Sequence, residues 1–354
     1  MLQKALVLVL IFASVAGFVS CGKTGNHYVY AAIPAANQLA VFREDPYSGV
    51  LTQLSTSPYQ VGFGPQSLVV HPSGKFLYVA NAGQNENDVS LFDIAIDGTV
   101  TEVTPRTPVG TLPSHLAMDP AGGFLYCANA LSNNISVFSI SSSNGQLTPI
   151  VGSPFQINLS PSSMVLSPSG NFLYIGAPSE PTGVIAVFSV SAGSIQLVGL
   201  TNTVDTSPSG LAIDPKGSFL YAANASANSI STFAIGGDGN LTVVGQPLTG
   251  TSLRPLALTV DPSGGFLYAA NQGSNNIATY SIASDGSLAA ITDSPFASET
   301  SPSFVVADPN GKYLYVGNQG GSAGIQAFGV SSGSLNAIAT YNVGNSPTSI
   351  AVLE

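Results

Sequence analysis

Charge is scarce in this chain: only 7% of its 354 residues are Asp, Glu, Lys or Arg, and 18 acids against 8 bases leave a net charge of −10. No cluster of bases exists that could neutralise a phosphate backbone, so nucleic-acid binding is excluded. Cysteine is scarcer still. Of the two, Cys21 and Cys127, only Cys127 falls in the body of the chain, so no internal disulfide can form and the core alone must hold the fold. No His, Cys or Asp cluster has zinc-like spacing, and the acids do not converge as calcium ligands do. We therefore expect no metal and no cofactor. Helical periodicity is nearly absent. Instead, 38 Gly and 24 Pro among many Ser, Thr and Asn mark a turn-rich chain, which points to an all-β protein. A hydrophobic fraction of 44% is ample for a large core.

The one long apolar run stands at the N-terminus. "MLQKALVLVLIFASVAGFVSC" has a basic start at Lys4, an apolar stretch from Ala5 and small residues leading to Cys21. It is too short for a membrane span and reads as a secretory signal over residues 1–20. Val19-Ser20-Cys21 resembles a bacterial lipobox, with Phe18 where Leu is usual. The expectation is a lipidated Cys21, a linker over 21–26, and an exported periplasmic or cell-surface lipoprotein touching the membrane only through that anchor. Plain secretion is the alternative.

"HPSGKFLYVAN", from His71, recurs as "DPAGGFLYCAN", "SPSGNFLYIGA", "DPKGSFLYAAN", "DPSGGFLYAAN" and "DPNGKYLYVGN", with "HYVYAA" from His27 as a truncated copy. The tyrosines at 30, 78, 126, 174, 221, 268 and 315 are spaced 48, 48, 48, 47, 47 and 47. A fixed period of this size signals a repeat architecture. Each unit reads as four strands. In the first full one these are "PQSLVV", "KFLYVAN", "VSLFDI" and "TVTEVT", the last two joined by an Asp97-Gly98 hairpin. The first two strands are apolar on both faces, the third alternates, and the outer one is polar. Four-stranded sheets at this period make a β-propeller.

The N-terminal copy lacks an innermost strand, and "PTSIAVLE" at the C-terminus supplies one. We therefore expect a single seven-bladed β-propeller domain over 27–354, monomeric, of antiparallel four-stranded blades, its ring closed by the C-terminal strand. Asp119, Asp214, Asp261 and Asp308, with His71 and Ser167 in the same slot, should accept backbone N–H groups of the turns. Asn81, Asn129, Asn224, Asn271 and Asn318 end the second strands and read as turn formers. Cys127 sits where the other units have Val, Ile or Ala, a small buried packing position.

Two motif matches fail on context. "GFVSCGKT" (17–24) fits a phosphate-binding loop, but it straddles the processing site and precedes a propeller. "GGSAG" around Ser322 fits a nucleophile elbow, but it falls in a blade loop. A site belongs instead at the channel mouth, where the residues two after each recurring Pro differ: Ser67, His115, Ser163, Gly210, Ala257, Phe304 and Ser349. His115 is the only ionisable one, and Arg254 is the only cation in the matching slot before it. They lie across the channel from each other, where an anionic or carbonyl ligand could bridge them, with His115 as base and Arg254 as clamp. Gln66, Ser67, Ser163 and Ser349 complete the candidate ligand-binding set.

The run "PSHLAMDPAGGFLYCAN" (113–129), followed by "NNISVFSI" and "NGQLTP", resembles the seven-bladed lactonase family of 6-phosphogluconolactonase-like and YVTN-repeat proteins. A WD40 propeller is excluded by the lack of any tryptophan. The resemblance covers the whole mature chain and implies metal-independent lactone hydrolysis. Enzymatic members carry a Pro-Arg-His strand start in a later blade and an Asn-Glu ending its second strand. Here the corresponding positions read Pro255-Leu256-Ala257 and Asn271-Gln272. Only His115 matches a Pro-x-His of the family, and with three arginines in all a sugar-phosphate site is hard to assemble. Two functions follow: a lactone hydrolase, or a propeller that binds a protein, glycan or small sugar-like molecule without chemistry. The residues alone favour binding.

Overall fold

The computed structural model describes residues 27–83, 86–178, 182–203, 208–250, 253–320 and 324–353. The expected signal and linker (1–26), with Cys21, and Ser322 lie outside the described residues. The described strands form seven antiparallel sheets, each ordered by successive strands except one. In that one, Ser349–Leu353 pairs with His27–Ile33, with Tyr28 opposite Leu353 and Ala32 opposite Ser349. The chain is a seven-bladed propeller closed by its last strand, as the truncated first repeat requires.

Three blades divide the outer strand in two. Leu51–Gln53 and Tyr59–Gln60 both pair with Gln38–Glu44, and the same split follows Leu147–Pro149 and Leu288–Ala290. The break falls at a Ser-Pro step, where proline has no N–H to offer the ladder. The serine hydroxyl takes over: Val41 N–H donates to Ser57 Oγ (2.8 Å), Val137 N–H to Ser153 Oγ (2.8 Å) and Thr279 N–H to Ser294 Oγ (2.9 Å).

Packing falls between blades. Tyr30 and Val41 of the closing blade bury against Leu77, Val79 and Phe92 of the next. The second strands are almost wholly buried. The third strands, expected from their alternation to show one face, are buried through their middles because both faces meet neighbouring sheets. Conversely, the first strands are only half-buried, since one face lines the channel.

A repeated latch fixes each blade to the next. The aromatic residue opening each second strand lies over the hairpin glycine of the following blade: Tyr28 on Gly98, Phe76 on Gly145, Phe172 on Gly239, and finally Tyr313 on Gly49 across the closure. At Gly239 the backbone has φ +83° and a Cβ would come within 2.3 Å of the Phe172 ring, so only glycine serves. The recurring tyrosine adds a hydrogen bond to the same hairpin in several blades, Tyr78 Oη–H donating to Gly145 O at 2.7 Å and Tyr174 to Gly239 O at 3.0 Å. The Tyr126 and Tyr268 hydroxyls are buried with no hydrogen-bond partner among the described residues.

The turn slot behaves as its letters suggest. Asp214 and Asp261 accept the N–H of Phe219 (2.6 Å) and Phe266 (2.7 Å), Asp119 that of Phe124, and Ser167 that of Phe172 (3.1 Å). His71 does more than turn the chain. Its Nδ1 accepts Ser73 N–H (3.0 Å), which leaves Nε2–H to donate to Gly122 O of the next blade (2.9 Å). The strand-ending asparagines correct an expectation. Four are not turn formers but buried clasps between second and third strands: Asn81 Nδ2–H donates to Asp88 and Ser90, Asn129 to Asn134 and Ser136, Asn224 to Ser229 and Ser231, and Asn271 to Asn276, while Asn318 donates to Val316 O of its own strand. At a strand end inside a propeller the side chain points between sheets, and a buried amide must find partners. Cys127 is buried, and burial pushes its thiol pKa up, which makes it inert packing.

Candidate functional site at the channel mouth

Antiparallel order puts the outer-to-inner connections and the loops between second and third strands on one face, around one end of the channel. Asparagine side chains set the chain's approach there. Asn87 Oδ1 accepts Leu112 N–H (2.9 Å), Asn228 Oδ1 accepts Arg254 N–H (2.7 Å), and Asn275 Oδ1 accepts Ser301 N–H (2.8 Å). Each accepted N–H belongs to a residue of positive φ just before the strand-opening proline. The first strand then descends along the channel and presents its second residue after proline to the mouth.

A cavity of about 370 Å³ lies there, lined by Gln66, Ser67, Ser114, His115, Ser163 and Ser349 on one side. Gly210, Leu211, Leu256, Ala257, Leu258 and Phe304 line the other. The structure thus brings together His115, Gln66, Ser67, Ser163 and Ser349. Arg254 is not brought in: its side chain is exposed on the rim, and it is absent from the cavity lining. Its backbone lies at φ +55°, like Leu112 and Ser301 in the same slot, so its position serves the connection rather than the channel. Among the described residues, no Asp, Glu, Lys or Arg lines the cavity. Among the described residues, no three His, Cys, Asp or Glu side chains group as metal ligands.

His115 is the one titratable side chain among the described residues that line the cavity. Burial in the channel wall lowers its pKa to about 4, so it is neutral at pH 7. Its tautomer follows from Ser114, which sequence reasoning did not single out. The Ser114 hydroxyl has one proton and donates it to Ala128 O (3.3 Å), so its oxygen accepts from His115 Nδ1–H (3.0 Å). Nε2 keeps its lone pair. A signal for Ser114 was present: Ser follows the recurring Pro at 113, 161, 208 and 302.

The hydroxyls of the polar side are not equivalent. Ser67 Oγ accepts Leu116 N–H (3.0 Å) and Ser349 Oγ accepts Leu68 N–H (3.2 Å) across blade boundaries. Each is engaged as an acceptor and keeps its own proton to donate. Ser163 instead donates to Pro208 O (3.3 Å). A neutral imidazole whose Nε2 has no hydrogen-bond partner among the described residues therefore lines the same cavity as two hydroxyl donors, one in each of the two preceding blades.

A model of the family described as lactonase, 7-bladed beta-propeller matches residues 26–158, 153–256 and 249–352. The chain belongs to that family. No curated protein matches the sequence. Solved structures share the lactonase-family fold. A periplasmic gluconolactonase of Pseudomonas aeruginosa superposes with a TM-score of 0.79 at 18% identity, covering 93% of this chain and 99% of that one. A Bacteroides fragilis protein given as a provisional 6-phosphogluconolactonase superposes at 0.76 and 20% identity, covering 94% and 99%. A Lactobacillus plantarum protein does so at 0.78 and 20%, covering 93% and 99%. At these identities the likeness speaks for the fold. Within the lactonase family, what this propeller does rests on its own channel mouth.

Proposed function

We propose that this lactonase-family propeller hydrolyses an uncharged lactone at the channel mouth. The observation that supports this most directly is the lining: a neutral histidine, hydroxyl donors in the same cavity, and no charged side chain among the described residues. A phosphorylated or carboxylated ligand would find no cation there to replace its lost hydration. In the reaction, His115 Nε2 takes a proton from water as the water oxygen attacks the lactone carbonyl carbon. Ser67 and Ser349 donate to the developing oxyanion. The ring C–O bond then breaks, and the imidazolium returns the proton to the departing alkoxide, giving the hydroxy acid. A base held near 4 is weak, which suits an activated ester better than an amide.

The test is a panel of uncharged and phosphorylated lactones with the wild type and His115→Ala. Turnover of uncharged lactones that falls on the order of a hundredfold in the variant supports the mechanism. Turnover that survives His115→Ala refutes it. A second reading, binding without chemistry, is favoured by the loss of the family's Arg, His and Glu at Leu256, Ala257 and Gln272. It predicts saturable binding and no hydrolysis by either protein. The same proposal has the chain act outside the cytoplasm as a monomer, anchored by lipid on Cys21. Membrane fractionation of wild type against Cys21→Ser tests the anchor.

A further inference from the structure

The seven mouth positions are not scattered around the ring but sorted. Ser349, Ser67, His115 and Ser163 occupy four consecutive blades, and Gly210, Ala257 and Phe304 occupy the other three. Residues beside them continue the division in the main, with Leu256, Leu258 and Val306 lining the cavity on the second arc, although Thr259 lines it there as well and Met164 lines it on the first. The two serines within that arc do not blur it. Ser209 donates to Pro255 O (2.9 Å) and Ser303 to Gly317 O (3.4 Å), so their protons are turned into the wall. Phe304 is the largest side chain of the arc and is half-buried, with part of its ring left to the cavity.

A ligand filling this mouth has one edge against hydrogen-bonding groups and the other against hydrocarbon. A polyhydroxylated ring satisfies only the first, leaving hydroxyls unpaired against Leu, Val and Phe. We infer that the channel mouth selects a lactone bearing an apolar substituent, with its carbonyl toward His115 and Ser67 and its hydrocarbon part against Phe304, which sets the specificity. The lactone ring rests on the hydrolase reading above. The apolar preference rests on the lining alone.

The experiment compares δ-decalactone with glucono-δ-lactone, using wild type, Phe304→Ser and Ala257→Ser, each checked for an unchanged melting transition. Two variants in adjacent blades guard against one failing to fold. We expect kcat/KM for the alkyl lactone to exceed that for the sugar lactone by about tenfold or more, and either substitution to narrow the ratio. Equal or reversed preference in the wild type, or a ratio that both variants leave unmoved, overturns the inference while the hydrolase reading stands. Should no lactone turn over, binding of the corresponding δ-lactams by calorimetry decides the matter. Preference for the alkyl lactam, lost in the variants, keeps this inference and removes the hydrolase reading. Binding of neither lactam, or of the sugar lactam alone, overturns it.

Discussion

Acidifying this protein from pH 7.5 to 4 should expose the burial of His115 as a loss of stability. In the folded chain the imidazole has a pKa of about 4, whereas in the unfolded chain it returns to 6.5. Between those values the unfolded state binds the additional proton, so the contribution is complete above 6.5 and disappears as pH falls through the folded value. The difference between 6.5 and 4 corresponds to roughly 3 kcal/mol. Because His115 is only half-buried, solvent screening makes this an upper bound. The assay is urea denaturation of wild type and His115→Gln across the pH range, since the variant cannot titrate there. The stability gap between them should shrink toward low pH by up to that amount. An imidazole NMR titration should find one histidine still neutral at pH 5. A gap that stays flat, or a titration of His115 near 6.5, would refute both the burial argument and the assignment of a free base at neutral pH. Under the proposed mechanism kcat/KM follows the same group, flat at neutral pH and falling as pH drops through about 4.

Three further outcomes follow from the fold. Gly239→Ala places a Cβ 2.3 Å from Phe172 at φ +83°, and it should destabilise by about 3 kcal/mol or more. Gly237→Ala, whose Cβ meets nothing within 4 Å, should be near neutral in the same thermal melts. Tyr78→Phe, which removes a 2.7 Å hydrogen bond to Gly145 O, should cost about 1 kcal/mol. Tyr126→Phe removes a hydroxyl that has no partner and should cost nothing or stabilise slightly; equal losses would deny the difference between the two blade junctions. Deleting 349–353 strips the ladder from Tyr28 to Ala32 and should lower and broaden the unfolding transition; an unchanged melt would refute the closure.

Blade number, strand order and closure were legible because the repeat is written in residues whose roles are local. A Pro-x-Gly turn, an aromatic pair and a hairpin glycine keep their meaning wherever they stand. The site was legible only as far as position. His115 was picked out because it breaks the repeat, and it does line the cavity. Arg254 breaks the repeat as well, but a letter does not show where its side chain points, and a left-handed backbone held by Asn228 turns it to the rim. Ser114 escaped because its role lies in where its one proton goes, which needs the Ala128 carbonyl in view. The asparagines misled for a similar reason. At a strand end the residue that turns a chain and the one that clasps two buried strands are the same residue.

The seam between Ser349–Leu353 and His27–Ile33 joins residues more than 300 positions apart. Every other blade is built from one continuous stretch and can assemble as soon as that stretch is available. Until the final strand docks, the second strand of the closing blade presents a naked row of backbone donors and acceptors. That row does not distinguish its own final strand from the final strand of another copy. At high concentration the same ladder can be completed between two molecules, each lending its last strand to the other, which makes this seam the place where the ring is open to domain swapping.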